Sequence, residues 1–366
     1  MQEVALRGIK FYNENEYKIL DDIEFYFNLF DIPNINHNSL FCINMIHTCG
    51  VDYTGFPLMD DIIDEINEQK NIKCLIFILN ETCYSDKKDF EEVSRRTNLP
   101  YFITNYDVSR IDDKNHIFYP ASMTVQLEQL TLSHFDDALH YLFYMNNQFS
   151  DLQKPYRCSF YSAHINPIRI DIFNLLKKHD VLKESTWSFH KSEEYYSGYK
   201  HDLDAFYKEN EGLIPHSFDY FSADKVSLKH TYFSQWLCYF EILTESYFFT
   251  EMPKGNTYSP MTEKILKPIV SCLPFIIFCP TNLKSGLEKM GMTFDSPLYG
   301  FYDISDDEQV KLGMEHIERQ ITISKEELHE TYFQYVNEYQ QNLEIFMKFF
   351  KEYFNEITHR LNQQTK

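Results

Sequence analysis

Three apolar runs of strand length, SLFCINMI (39–46), KCLIFIL (73–79) and LPFIIF (273–278), are each bordered by a segment whose apolar residues recur at helical spacing. That alternation restricts the chain to α/β folds with parallel sheets, because parallel neighbours need a crossover and a helix is the usual one. In the first half, SLFCINMI runs into the loop HTCGVDYTGFP, and LMDDIIDEINEQ (58–69) follows with helical periodicity. KCLIFIL then ends at NETCYSD, KDFEEVSRRTN (88–98) is again helical, and PYFITN (100–105) reads as a short strand. Residues 127–149 read as largely helical, and SDLQKP (150–155) is the best candidate for a linker.

The rhythm then repeats. YRCSFYSA (156–163) predicts a strand and NPIRIDIFNLLKKHDVL (166–182) an amphipathic helix with Pro167 near its start. Residues 190–230 are polar and aromatic, and their periodicity is too weak to order them. YFSQWLCYFEIL (232–243) reads as a strand, or as a helix leading into one. A helix from Ser259, the strand LPFIIF, the helix NLKSGLEKMG stopped at Gly291 and a short strand MTF (292–294) complete the expected second unit. The tail opens with a capping box, Ser324 with Glu327 three residues on. Leu328, Tyr332, Val336, Tyr339, Leu343, Phe346, Phe350 and Phe354 follow at three- and four-residue steps, predicting one long amphipathic helix or two with a bend. A stripe so wide and aromatic suits a helix packed across the domains, with a homodimer arm as the other possibility.

Length and charge narrow the function. At 366 residues two domains are expected, divided here as 1–152, 153–322 and a closing helix at 323–366 that returns to the N-terminal domain. A net charge of −21 disfavours nucleic acid and anionic membrane as partners, since chains that live on phosphate backbones normally carry the opposite sign. No apolar run approaches the ~20 residues of a membrane span, and the expectation is a soluble, cytoplasmic protein. Cysteines 42, 49, 74, 83, 158, 238, 272 and 279 form no C-x-x-C pair or zinc spacing and read as reduced core thiols. Only 10 glycines are present, which counts against a cofactor site built on a glycine-rich loop.

The stretch SPMTEKILKPIVSCLPFIIF (259–278) carries the chemistry. Ser259 is a plausible N-cap and Pro260 suits the first helical position. The first turn of such a helix offers free N–H groups and a partial positive charge, a natural seat for phosphate, and Lys264 adds a full charge. Lys267 lies about a turn deeper. Glu263 is suited to accepting hydrogen bonds from paired hydroxyls such as those of a ribose. Adjacent carboxylate and ammonium thus match the two ends of a nucleoside diphosphate; a capped surface helix fits the same residues. Asp202-x-Asp204 has the spacing of a divalent-metal motif, but EEYYSGYKH leads into it rather than an apolar strand, so no obligatory metal is expected.

TESYFF (244–249), MTEKILKPIVSCLPFIIF (261–278) and LKSGLEKMGMTF (283–294) together resemble the C-terminal signature of phage- and giant-virus-type GT-B glycosyltransferases. More distantly they are similar to the fucosyltransferase pattern of a strand-end Glu followed by Thr-Glu-Lys. SFYSAHINPIRIDIFNLLKKHDVLKESTWSFH (159–190) resembles the arginine-bearing helix start of the viral family, keeping only Arg169 with His164 nearby. CGVDYTGFPLMDDI (49–62) resembles its first β-to-α loop. The resemblance covers roughly half the chain. It implies two Rossmann-like domains of GT-B type, a nucleotide-diphosphate sugar as donor, and donor-nucleotide roles for Glu245, Thr262, Glu263 and Lys264. Glu263 would hold the ribose, Lys264 the diphosphate, and Arg169 the departing phosphates.

Glycosyl transfer also needs a base for the acceptor hydroxyl. Asp52, in the loop after the first predicted strand, is the candidate, with Glu81 after the second strand in reserve; a turn residue is the plainer reading of Asp52. His47 and Tyr53 would shape the acceptor pocket. A single carboxylate facing the donor implies direct displacement with inversion. The acceptor is a glycan or hydroxymethylated pyrimidine in phage DNA. A non-catalytic nucleotide- or sugar-binding module with a helical docking arm is the reading from another class.

Overall fold

The computed structural model describes residues 4–6, 9–12, 40–45, 59–78, 88–105, 107–118, 152–162, 166–189, 203–214, 235–245, 261–279 and 282–364. These residues form an α/β fold with two sheets, and the layout is compatible with two Rossmann-like units.

In the first sheet β1 (Val4–Leu6), β2 (Ile9–Tyr12) and β3 (Leu40–Met45) pair antiparallel, and β3, β4 (Cys74–Ile78), β5 (Tyr101–Asn105) and β6 (His116–Phe118) pair parallel in chain order. The crossovers are α1 (Met59–Glu68) and α2 (Lys88–Thr97), each with apolar residues three apart turned inward: Ile63 and Ile66, Phe90 and Val93. In α2, Asp89 and Glu91 lie in the first turn and Arg95 and Arg96 in the last, complementing the helix dipole. Leu75, Ile76 and Phe77 are all buried, as expected for a strand covered on both faces.

The second sheet is entirely parallel and is ordered differently. It comprises β7 (Cys158–Ser162), β8 (Ser185–Phe189), β9 (Phe240–Thr244), β10 (Phe275–Cys279) and β11 (Gly300–Asp303), arranged β11-β10-β9-β7-β8. From β7 the chain steps one way along the sheet; from β9 it steps the other way. Right-handed crossovers therefore put α3 (Pro167–Lys178), which follows β7, and α5 (Glu263–Val270), which follows β9, on opposite faces. Between them in sequence, α4 (Leu203–Glu209) lies within the stretch whose order the sequence did not reveal. After β10 come α6 (Leu283–Lys289), then α7 (Asp307–Thr322), α8 (Lys325–Gln334) and α9 (Val336–Gln364). Gly291 ends α6 as anticipated, at φ 102°, where a side chain would be strained.

Two sequence expectations need correction, and one alternative is decided. MTF is not a strand: the Asn342 side chain accepts from the Thr293 N–H (2.9 Å) and donates to the Thr293 carbonyl (2.7 Å), so a residue of α9 replaces a strand neighbour. The last strand is instead Gly300–Asp303. The helix expected from Ser259 begins at Glu263 with Thr262 as its cap; Ser259 and Pro260 lie outside the described residues. The tail takes the two-helix form. Ser324 caps α8 by accepting from the Glu327 N–H at 3.0 Å, and Tyr335 separates α8 from α9. The 127–149 segment is also outside the described residues.

The α9 stripe, from Tyr339 through Leu343, Phe346, Phe350 and Phe354 to Leu361, is buried within the chain. Besides holding Thr293 beside the second sheet, α9 reaches the first. Tyr353 Oη accepts from the Phe118 N–H at 2.6 Å, and the Phe118 and Phe350 rings lie 5.9 Å apart. Cys74, Cys158, Cys238, Cys272 and Cys279 are buried free thiols. No helix among the described residues is long and apolar enough to cross a membrane.

Asn342→Leu leaves the Thr293 N–H and carbonyl without their partner and is expected to cost about 2 kcal/mol or more in urea denaturation. An unchanged midpoint would contradict the docking of 292–294 on α9.

Candidate functional site

The reversal of strand order falls between β7 and β9. Their register runs Cys158–Phe160 against Phe240–Ile242, while the strands continue to Ser162 and Thr244. In doubly wound sheets the carboxyl ends at such a reversal bound a crevice. Alternation along β9 then sends Thr244 to one face of the sheet and Glu245, just past the strand, to the other.

On the α3 side, Asn166 caps the helix by accepting from the Arg169 N–H at 2.8 Å, with Pro167 in the first turn. The Arg169 side chain is 5% exposed. Its Nε donates to Thr244 Oγ1 at 2.6 Å and its Nη2 to the Thr244 carbonyl at 3.1 Å, bridging the start of α3 to the end of β9.

The α5 side is organised by Glu245, whose side chain is fully buried. Its Oε1 accepts from Thr262 Oγ1 at 2.6 Å, and its Oε2 pairs with Lys264 Nζ at 3.1 Å. Thr262 Oγ1 in turn accepts from the Lys264 N–H at 3.3 Å, so one hydroxyl caps the helix and donates to the carboxylate. The Lys264 side chain keeps 25% of its exposure. The structure thus brings Arg169, Glu245, Thr262 and Lys264 to the carboxyl ends of β7 and β9.

Glu263 opens α5, and its side chain lies outside the described residues, as do Asp52, Glu81, His47, Tyr53 and Asp202. Asp204 is exposed in the first turn of α4. No group of three or more potential metal ligands occurs among the described residues.

Sequence reasoning missed Asn166 and Thr244. Asn followed by Pro at a helix start was a readable cap signal. Nothing distinguished Thr244 before its position at the end of β9 was known.

Four residues before Glu245 and on the same face of β9, Glu241 is 2% exposed and accepts from the Gln235 side chain, which itself accepts from Ser271 Oγ at 3.0 Å. Burial raises the Glu241 carboxyl from its ordinary 4.5 to about 8, against the opposing pull of Lys267 and the Gln235 hydrogen bond. Lys267 therefore acts on Glu241, one rung below the Lys264–Glu245 pair. Lys154, fully buried with its Nζ 3.0 Å from the Trp236 carbonyl and 4.1 Å from the centre of the Tyr332 ring, is pushed down to about 7 by burial.

Compared with known protein families, curated proteins and solved structures, the chain shows no match.

Between the ordinary value of 4.5 and about 8 the folded chain keeps a proton on Glu241 that the unfolded chain releases. Stability contributed by this group therefore falls as pH rises through that window. Glu241→Gln should flatten the decline between about pH 5 and 7 by up to ~1.4 kcal/mol per pH unit, measured by urea denaturation. An unaltered slope would show that Glu241 is ionised in the folded protein.

Proposed function

We propose that the chain is a glycosyltransferase of GT-B type that takes its sugar from a nucleotide-diphosphate donor. The supporting observation is the meeting of two capped helix starts, Arg169 and Lys264 at the strand-order reversal of the second sheet. Of the two cations Lys264 is paired with a carboxylate, Glu245, while Arg169 is held by the hydroxyl and carbonyl of Thr244, in a chain whose net charge is −21. Helix starts add partial positive charge at the same end of the sheet.

In the reaction the acceptor hydroxyl attacks the anomeric carbon, the bond from that carbon to the diphosphate oxygen breaks, and the acceptor proton passes to a base. Asp52 is assigned as that base, with Glu81 in reserve and His47 and Tyr53 at the acceptor. Lys264 and Arg169 offset the charge that grows on the leaving diphosphate, so no divalent ion is required for that role. Glu263 holds the ribose. The acceptor is a glycan or hydroxymethylated pyrimidine in DNA; the acidic net charge favours the glycan, and a low-salt gel shift with modified and plain duplex separates them.

A panel of UDP, GDP, CMP and dTDP sugars is expected to contain a donor that stabilises the fold by roughly 2.7 kcal/mol at 100 times its dissociation constant. Lys264→Ala and Glu263→Ala should each abolish most of that shift relative to their own unliganded baselines. A shift untouched by both would sink the assignment. With the donor known, NMR of the product should show an inverted anomeric centre, and retention would exclude direct displacement.

A further inference from the structure

We infer that Glu245 is a positioning residue, which holds the starts of α3 and α5 in one fixed relation and does not itself touch the nucleotide. This departs from the donor-contact role that the sequence resemblance implies, and it rests on the diphosphate reading above.

The hydrogen bonds of Glu245 carry the argument. The residue is 0% exposed, so no face of it is presented to a ligand from solvent. Its carboxylate accepts from Thr262 at 2.6 Å and pairs with Lys264 at 3.1 Å, which orients the cap of α5 and its cation together. Its carbonyl accepts from Asn166 Nδ2 at 3.5 Å, and Asn166 is the cap of α3. Its N–H donates to the Phe278 carbonyl at 2.9 Å, anchoring the residue to β10. Both helix caps thus converge on one rigidly placed residue, one through its side chain and one through its main chain. α3 and α5 follow different strands on opposite faces of the sheet, so their starts have no local reason to keep a common spacing. Glu245 supplies that reason. Lys264, tethered at its ammonium but still a quarter exposed, is held at the crevice instead of sampling the many rotamers of a free lysine.

A double-mutant cycle separates positioning from contact. Binding of inorganic pyrophosphate, UDP and GDP is measured by calorimetry for the wild type, Glu245→Gln, Lys264→Met and the double variant, with melting temperature followed in parallel. Each single change leaves one member of a buried pair without its partner and should lower the melting temperature, whereas the double variant should recover part of the loss. Glu245→Gln is expected to weaken binding about tenfold or more, and the double variant should bind little worse than Lys264→Met alone. Thr262→Val, which removes both the hydroxyl link to Glu245 and the cap of α5, should weaken binding in the same direction, and Thr262→Ser, which keeps both, should restore it, so the test survives if Glu245→Gln does not fold. Losses that multiply in the double variant would mean direct contact and would overturn the inference while leaving the diphosphate site standing. Wild-type protein that binds none of the three probes would remove both.

Discussion

A parallel sheet whose connections all step in one direction has its helices on one face and no crevice at its carboxyl edge. The first sheet's parallel strands follow that pattern, running β3 to β6 in chain order. The second sheet breaks it between β7 and β9, and the geometry of the site depends on that break. It sends α3 and α5 to opposite faces, with the starts of both helices at the carboxyl edge of the sheet. It also divides the end of β9 between two tasks, Thr244 meeting Arg169 and Glu245 meeting Thr262 and Lys264.

The second constraint is burial. Along one face of β9, Glu241 and Glu245 are carboxyl groups set among apolar neighbours, and each has a lysine of α5 acting on it. Deep in the sheet, where Lys267 acts only through its field, the carboxyl is held up near 8. At the rim, Lys264 pairs directly and stays partly exposed. One strand and one helix thereby grade from a carboxyl sealed in the interior to a lysine–carboxylate contact at a partly exposed edge.

Much of the fold was legible because its signals are local. Apolar runs of strand length, the three-residue spacing in α1 and α2, the Ser324–Glu327 box and Gly291 each act within a few residues of themselves. The misread segments were settled by distant partners. Thr293 is held by Asn342, 49 residues on, and the start of α5 is fixed by the bond from Thr262 to Glu245, 17 residues back. The same division holds at the site. Lys264 could be picked out from a helix-start pattern, whereas Arg169 and Thr262 were singled out only by the family resemblance, and the pattern itself pointed to Ser259 as the cap. That Arg169 lies against Thr244, 75 residues away, follows only from strand order, which no local pattern encodes. Glu245 was singled out by the family resemblance, but its burial, and hence its partners, was not legible.

The most direct measurement is a crystal structure with UDP or GDP bound. The diphosphate should lie at the carboxyl ends of β7 and β9, within hydrogen-bonding distance of Lys264 Nζ and the first N–H groups of α5, with Glu245 still buried beneath it. A nucleotide seated at the carboxyl edge of the first sheet, or on a surface away from α3 and α5, would contradict this.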